Sequence, residues 1–276
     1  MLRTAKYFIF VTVIVSVILS GSASGRVKIG HESATQLPKD MAKDYALYAM
    51  MASNAYLNPN RVYFDLSKLG WLKVDLDGNR TDVNSYSPSL LGKIFSNLQY
   101  DIWEKGDDMA VIAFKGSDEK IDWYTNFWIG PSIAYKSAKK HVREYLLKHP
   151  HKKLVVTGHS LGGGIALSTS LWLGVDAYVF DTSPRVFDGW GDNKEPAVRK
   201  AIFQEREILS VLRSLWPKYS DALEEKDIYQ SNFDFNGINT HRIDILAEGL
   251  LRCSEDSDEL RAVAEMLNAV KVSCSL

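Results

Sequence analysis

The sequence predicts an α/β fold: a mostly parallel central sheet with helices on both faces and an antiparallel hairpin. Three observations predict it. The apolar run Leu154 to Thr157 passes through Gly158-His159-Ser160-Leu161-Gly162 into a helical segment, Gly163 to Leu173. A second apolar strand, Val175 to Phe180, follows at once, and strand–helix–strand in succession argues parallel pairing through a right-handed crossover. Upstream, the turn Lys105-Gly106-Asp107-Asp108 separates Leu98 to Trp103 from Met109 to Phe114, which reads as a hairpin. Its second strand is continuously apolar and suits a central, doubly covered position.

Taken in chain order, Arg3 and Lys6 precede an uncharged run of 14 residues, Tyr7 to Ser20, and the small residues Gly21 to Gly25 follow. A basic start, a short apolar stretch and small residues describe a secretory signal peptide, residues 1–24. The run is shorter than the roughly 20 residues of a spanning helix. The alternative is an anchor at residues 7–20. With the signal peptide the chain is expected to be exported, periplasmic or secreted; with the anchor it would be membrane-attached. Residues 26–276 then form one catalytic domain, opening on a polar surface arm to Asp40.

Met41 to Leu57 repeats Tyr45, Tyr48, Ala49, Ala52 and Tyr56 at helical steps and stops at Asn58-Pro59-Asn60. Asp75 to Arg80 is a polar turn rather than a calcium loop, because Arg80 stands where such a loop needs Gly. Ile133 to Lys148 is an amphipathic helix ended by Pro150, and Ala201-Ile202-Phe203 is a further short strand. Ile243 to Leu251 and Ser257 to Val272 read as the last two helices. The two cysteines, Cys253 and Cys274, flank the second of these. A helix of that length spans roughly 24 Å, so they either pair by folding the flanks back or remain separate buried thiols.

Composition excludes little. Apolar residues are 46% and charged residues 24%, which suits a full-sized core. A net charge of −1 gives no reason to propose nucleic acid as a partner.

The chemistry gathers at Ser160. A serine hydroxyl is a weak nucleophile, so it must project from a sharp strand-to-helix turn where a base reaches it. Gly158 and Gly162 occupy the two places where side chains would crowd that turn. Acyl transfer further needs a base, an orienting acid and oxyanion donors. In strand–elbow–helix hydrolases the order is Ser, then Asp or Glu, then His. His31, His141, His149 and His151 precede Ser160, and His159 adjoins it as a packing or hydrogen-bonding residue. His241 remains as the base. Glu207, just beyond the strand Ala201 to Phe203, is the favoured acid, with Glu205, Asp181 and Asp234 behind it. The backbone N–H of Leu161, at the helix start, is one oxyanion donor. Ser117, after the strand ending at Phe114, is the other. No metal or organic cofactor is required.

With these pieces placed, the chain resembles the class 3, fungal-type lipase family of α/β-hydrolases. The matching stretches are Tyr45 to Tyr56, Val111 to Asp118 with Asp122-Trp123 and Asn126-Phe127, the elbow Gly158 to Gly163, and Thr182 to Val186. The resemblance implies Ser160 as nucleophile and Ser117 with Leu161 as oxyanion donors. It also implies a lid near Lys120 to Ile133, carrying Trp123, Tyr124, Phe127 and Trp128. The family usually has Asp as its acid, whereas the corresponding stretch here begins at Glu207. Phe187 to Asp234 lacks the family's motifs.

The expected function is that of a serine ester hydrolase cleaving acyl esters of lipids through an acyl-enzyme, with transient contact to a membrane or lipid-droplet surface. Alternatives are phospholipase A1, including a secreted effector aimed at another cell's membrane, and a soluble-ester carboxylesterase. A catalytically dead hydrolase serving as a binding module is disfavoured by the intact serine, glycines and downstream histidine.

Overall fold

The computed structural model describes residues 35–88, 98–117, 131–186, 195–205, 207, 209–210, 213, 222–233, 240–254, 257–267 and 274. The leader and anchor readings, the aromatic lid and Asp234 fall outside these residues.

Eight strands form one sheet: β1 (Thr35–Gln36), β2 (Leu72–Val74), β3 (Tyr100–Lys105), β4 (Met109–Phe114), β5 (Lys153–His159), β6 (Asp176–Phe180), β7 (Arg199–Gln204) and β8 (Ile228–Ser231). Their spatial order is β1-β8-β7-β6-β5-β4-β3-β2. Pairing is parallel from β1 across to β4, and β3 and β2 complete the sheet antiparallel. The predicted α/β-hydrolase fold class, with its mostly parallel sheet and hairpin, is the one observed.

Five α-helices pack around the sheet among the described residues: α1 (Ala42–Asn54), α2 (Pro131–Lys148), α3 (Leu161–Leu173), α4 (Ile243–Cys253) and α5 (Asp258–Ala264). Alternation along β4 shows how the two faces are filled. Val111 and Ala113 face a core built with Tyr45, Ala49, Leu246 and Leu250 of α1 and α4. Ala110, Ile112 and Phe114 face the other core, with Tyr135 and Ala138 of α2 and Ile165 and Leu167 of α3. Both faces of the central strand are therefore dry, which is why its sequence is apolar throughout. Each fully buried Val, Leu, Ile or Phe side chain contributes roughly 1.5–3 kcal/mol.

Three expectations need correction. The polar arm is not wholly a surface feature: Thr35–Gln36 adds the edge strand β1, and Leu37 behind it is buried. The Leu37 N–H donates to the carbonyl of Gln230 at 2.8 Å, so a main-chain ladder, invisible to composition, ties the arm down. The last helix, expected from Ser257 to Val272, ends at Ala264, a length of roughly 10 Å. That shortening removes the geometric objection to pairing: Cys253 and Cys274 form a disulfide with Cα atoms 4.8 Å apart. Finally, β1, β2 and β8 are strands of two to four residues that sequence periodicity did not single out.

Candidate active site

The elbow is built by close approach. β5 ends at His159 and α3 begins at Leu161, two residues before the predicted Gly163. Ser160 alone makes the turn, with φ 56° and ψ −126°. A non-glycine residue pays of order 1–3 kcal/mol for such backbone, a cost tolerated where function fixes it. The surroundings hold it there: Ser160 N–H donates to Phe180 O at 3.2 Å, and Ser160 O accepts from Gly164 N–H and Ser183 N–H at 3.1 and 2.9 Å. A Cβ on Gly158 would strike the backbone of Gly162 and Gly163, and one on Gly162 would strike the carbonyl of Phe114. The two glycines let strand and helix touch and let α3 start against the end of β4.

That contact also places the two residues expected as oxyanion donors. Leu161 is the first residue of α3, where unpaired N–H groups and the helix dipole favour negative charge. Ser117 follows Gly116, where an added Cβ would strike the carbonyl of His159 and crowd the Cβ of Ser160. The loop after β4 thus runs directly beside Ser160.

His241 lies just before α4, and its ring centroid is 4.5 Å from that of His159, the neighbour of Ser160. The predicted base is therefore brought to the elbow. Its Nδ1 stands 3.0 Å from Oε2 of Glu207. Glu207 follows β7 and is fully enclosed, with a side chain 0% exposed. Burial alone would raise its pKa, but the Arg213 guanidinium and His241 overcome this and hold the carboxyl below its ordinary value. The same Oε2 accepts the Leu209 N–H at 2.8 Å, and Arg213 Nη2 donates to Oε1. Arg213 is fixed in turn by donation to Thr182 O at 2.8 Å and by its position over the Phe203 ring.

Other carboxyl candidates fare differently. Asp181 is brought into the same cluster, whereas Glu205 is part-exposed and its N–H closes onto Ser231 O of β8. Two further residues belong to the site without having been assigned a role in advance. Tyr56 OH lies 2.7 Å from His159 Nδ1 and packs against Gly116, so it braces both the histidine and the loop after β4. Burial lowers the His159 pKa well below its usual value and keeps the ring neutral beside His241. Arg213 is the other. Its only signal was a lone cation in the apolar stretch after Glu207.

A strained serine elbow after a parallel strand, with a histidine–carboxylate pair supplied from later in the chain, defines an α/β-hydrolase. Residues 47–184, half of the chain, match the phospholipase-like family described as the Tle-like phospholipase domain. The protein belongs to that family. It is 25% identical over 183 residues to a secreted mono- and diacylglycerol lipase of Fusarium solani, matching 56% of this chain. The match spans about half, 53%, of that relative's length. Among solved structures it is similar to the lipase of Rhizopus microsporus var. chinensis, with TM-score 0.47 and 17% identity over 68% of this chain and 75% of the other. The Rhizomucor miehei lipase propeptide complex gives TM-score 0.46 and 16% identity, covering 64% of each chain.

Proposed function

We propose that the protein is an exported serine ester hydrolase that cleaves acyl esters of lipids through an acyl-enzyme. The observation that carries this reading is the His241–Glu207 pair, set against the strained Ser160 elbow. His241 removes the Ser160 hydroxyl proton as the oxygen attacks the ester carbonyl. The oxyanion is held by the Leu161 N–H and by Ser117. Collapse expels the alcohol, which takes the proton from His241. Water, deprotonated by the same imidazole, then releases the fatty acid and restores Ser160. Glu207 orients the ring and stabilises its charged form without itself taking the proton.

The Fusarium relative is a mono- and diacylglycerol lipase, and this supports a glycerolipid substrate. Family membership favours phospholipid as the second reading, with a phospholipase A1 or a secreted effector as its form. Residues 1–24 act as the signal peptide and 26–276 as one lipase-like domain. The secreted relative supports export, and among the described residues no helix is long and apolar enough to cross a membrane. Contact with a lipid surface is transient in this reading.

The test is a hydrolysis panel on purified protein: a short-chain p-nitrophenyl ester, a triglyceride emulsion, and phosphatidylcholine vesicles. Hydrolysis of at least one, lost in Ser160→Ala with an unchanged circular dichroism spectrum, is expected. Equal turnover by Ser160→Ala rejects the mechanism. Activity on the soluble ester alone, with none at an interface, replaces the lipid reading with a carboxylesterase.

A further inference from the structure

Among the described residues, Glu207 is one of two buried carboxyl groups at His241. Asp181 stands one residue beyond β6, next to the strand that delivers Glu207. Its N–H donates to Ile202 O at 3.0 Å, and its Oδ1 accepts the Gln204 N–H at 2.7 Å. The residue is 0% exposed, and Oδ2 has no hydrogen-bond partner among the described residues. Its φ of 38° lies in the left-handed region, which disfavours a residue with a Cβ. A carboxylate oxygen of Asp181, a ring nitrogen of His241 and a ring nitrogen of His159 all lie within 4.8 Å of one another. Buried, strained and half-satisfied carboxyl groups are costly, and at an active site such costs point to use.

We propose that Asp181 is a positioning residue for His241, a reserve acid paired with Glu207: neutral while Glu207 is ionised, and negatively charged beside the imidazole when Glu207 is made neutral. The proposal rests on the serine-hydrolase reading given above. Two carboxyl groups in one buried site do not both ionise, because like charges at short range in low dielectric repel strongly. The groups facing the pair decide which ionises. Arg213 makes its ion pair with Glu207, and His241 bonds to Glu207, so the charge sits there. Burial and then the Glu207 charge raise the pKa of Asp181 well above its ordinary value. His159, neutral against Tyr56, supplies no charge to counter this. With Glu207 uncharged, both Arg213 and the imidazolium formed during turnover favour ionised Asp181.

The experiment measures kcat/KM against pH, on a soluble ester, for wild type, Glu207→Gln and the double variant Glu207→Gln/Asp181→Asn. Asn keeps an acceptor for the Gln204 N–H, so a purely structural Asp181 predicts no added loss in the double variant. The expected result is residual activity in Glu207→Gln whose rising limb lies at higher pH than that of the double variant, because ionised Asp181 favours the charged imidazole. The second substitution lowers activity by about tenfold or more and moves that limb to lower pH. A limb at the same pH in the two variants overturns the proposal. So does equal activity in the two variants, or a folded Glu207→Gln with no turnover. Failure of the underlying mechanism looks different: a fluorophosphonate leaves Ser160 of the wild type unlabelled.

Discussion

Nδ1 of His241 and Oε2 of Glu207 stand 3.0 Å apart, joining the loop before α4 to the end of β7 across 34 residues of sequence. A carboxylate on that nitrogen leaves Nε2 as the basic one. Replacing the charge by an amide removes both the orientation and the stabilisation of the imidazolium. Glu207→Gln is expected to lower kcat by on the order of 10²–10⁴ with KM little changed. Steady-state kinetics on a soluble ester measure it.

Arg213 keeps Glu207 ionised in a site that excludes water. Its side chain is 1% exposed, so removing it strands a buried carboxylate. Arg213→Met is expected to destabilise the fold by about 3–5 kcal/mol at neutral pH, as broken buried pairs do. Because the Glu207 pKa is lower folded than unfolded, its contribution is complete above the unfolded carboxylate's value and is lost as pH falls through the folded one. The gap between wild type and variant therefore narrows on acidification. Urea denaturation at two pH values reads both effects.

Asp181 has the opposite sign. Its raised folded pKa means that its contribution is complete below the unfolded value, near pH 4 or so, and declines as pH rises toward the folded one. Asp181→Asn does not titrate. Between about pH 5 and about pH 8, its Tm is expected to fall less than that of wild type. Equal declines in the two proteins contradict the assignment of a neutral Asp181.

Tyr56 braces the site from behind. Its hydroxyl is 2.7 Å from His159 Nδ1, and the Arg61 guanidinium lies over its ring. Tyr56→Phe deletes the hydroxyl and leaves a buried histidine nitrogen to find another partner. A loss of about 1–3 kcal/mol in stability is expected, together with reduced kcat from a looser His159–His241 contact. Thermal denaturation and kinetics on the same preparation check it.

The Cys253–Cys274 bond closes a loop over a sequence separation of 21. Restricting the unfolded chain by a loop of this size contributes roughly 3 kcal/mol. The Cys253→Ser/Cys274→Ser variant is expected to melt at lower temperature than wild type without reductant, and to be unaffected by added dithiothreitol.

Much of this architecture was legible in the sequence because the central elements are long and carry strong patterns. β4 is apolar on both faces, and β5, elbow and α3 form a continuous signal of strand, Gly-rich turn and helix. The short strands β1 and β8 were not legible. They are two and four residues long, and main-chain pairing rather than side-chain periodicity defines them. The last helix was overextended because Leu260, Val263 and Leu267 keep helical spacing even though the helix itself stops at Ala264. At the site, chain order alone selected His241, and the strand exit selected Glu207. Tyr56 and the placement of Asp181 required the fold, since each acts across a contact distant in sequence, and Arg213 required it because its pairing with Glu207 follows from no repeat or motif.

The most direct measurement is the rate and position of fluorophosphonate attachment, read by intact mass and peptide mapping, in wild type, His241→Ala and Ser160→Ala. One adduct on Ser160 is predicted, formed at least about 100-fold more slowly without the imidazole and absent without the hydroxyl. Attachment at another residue, or labelling of Ser160 at the wild-type rate in His241→Ala, would contradict it.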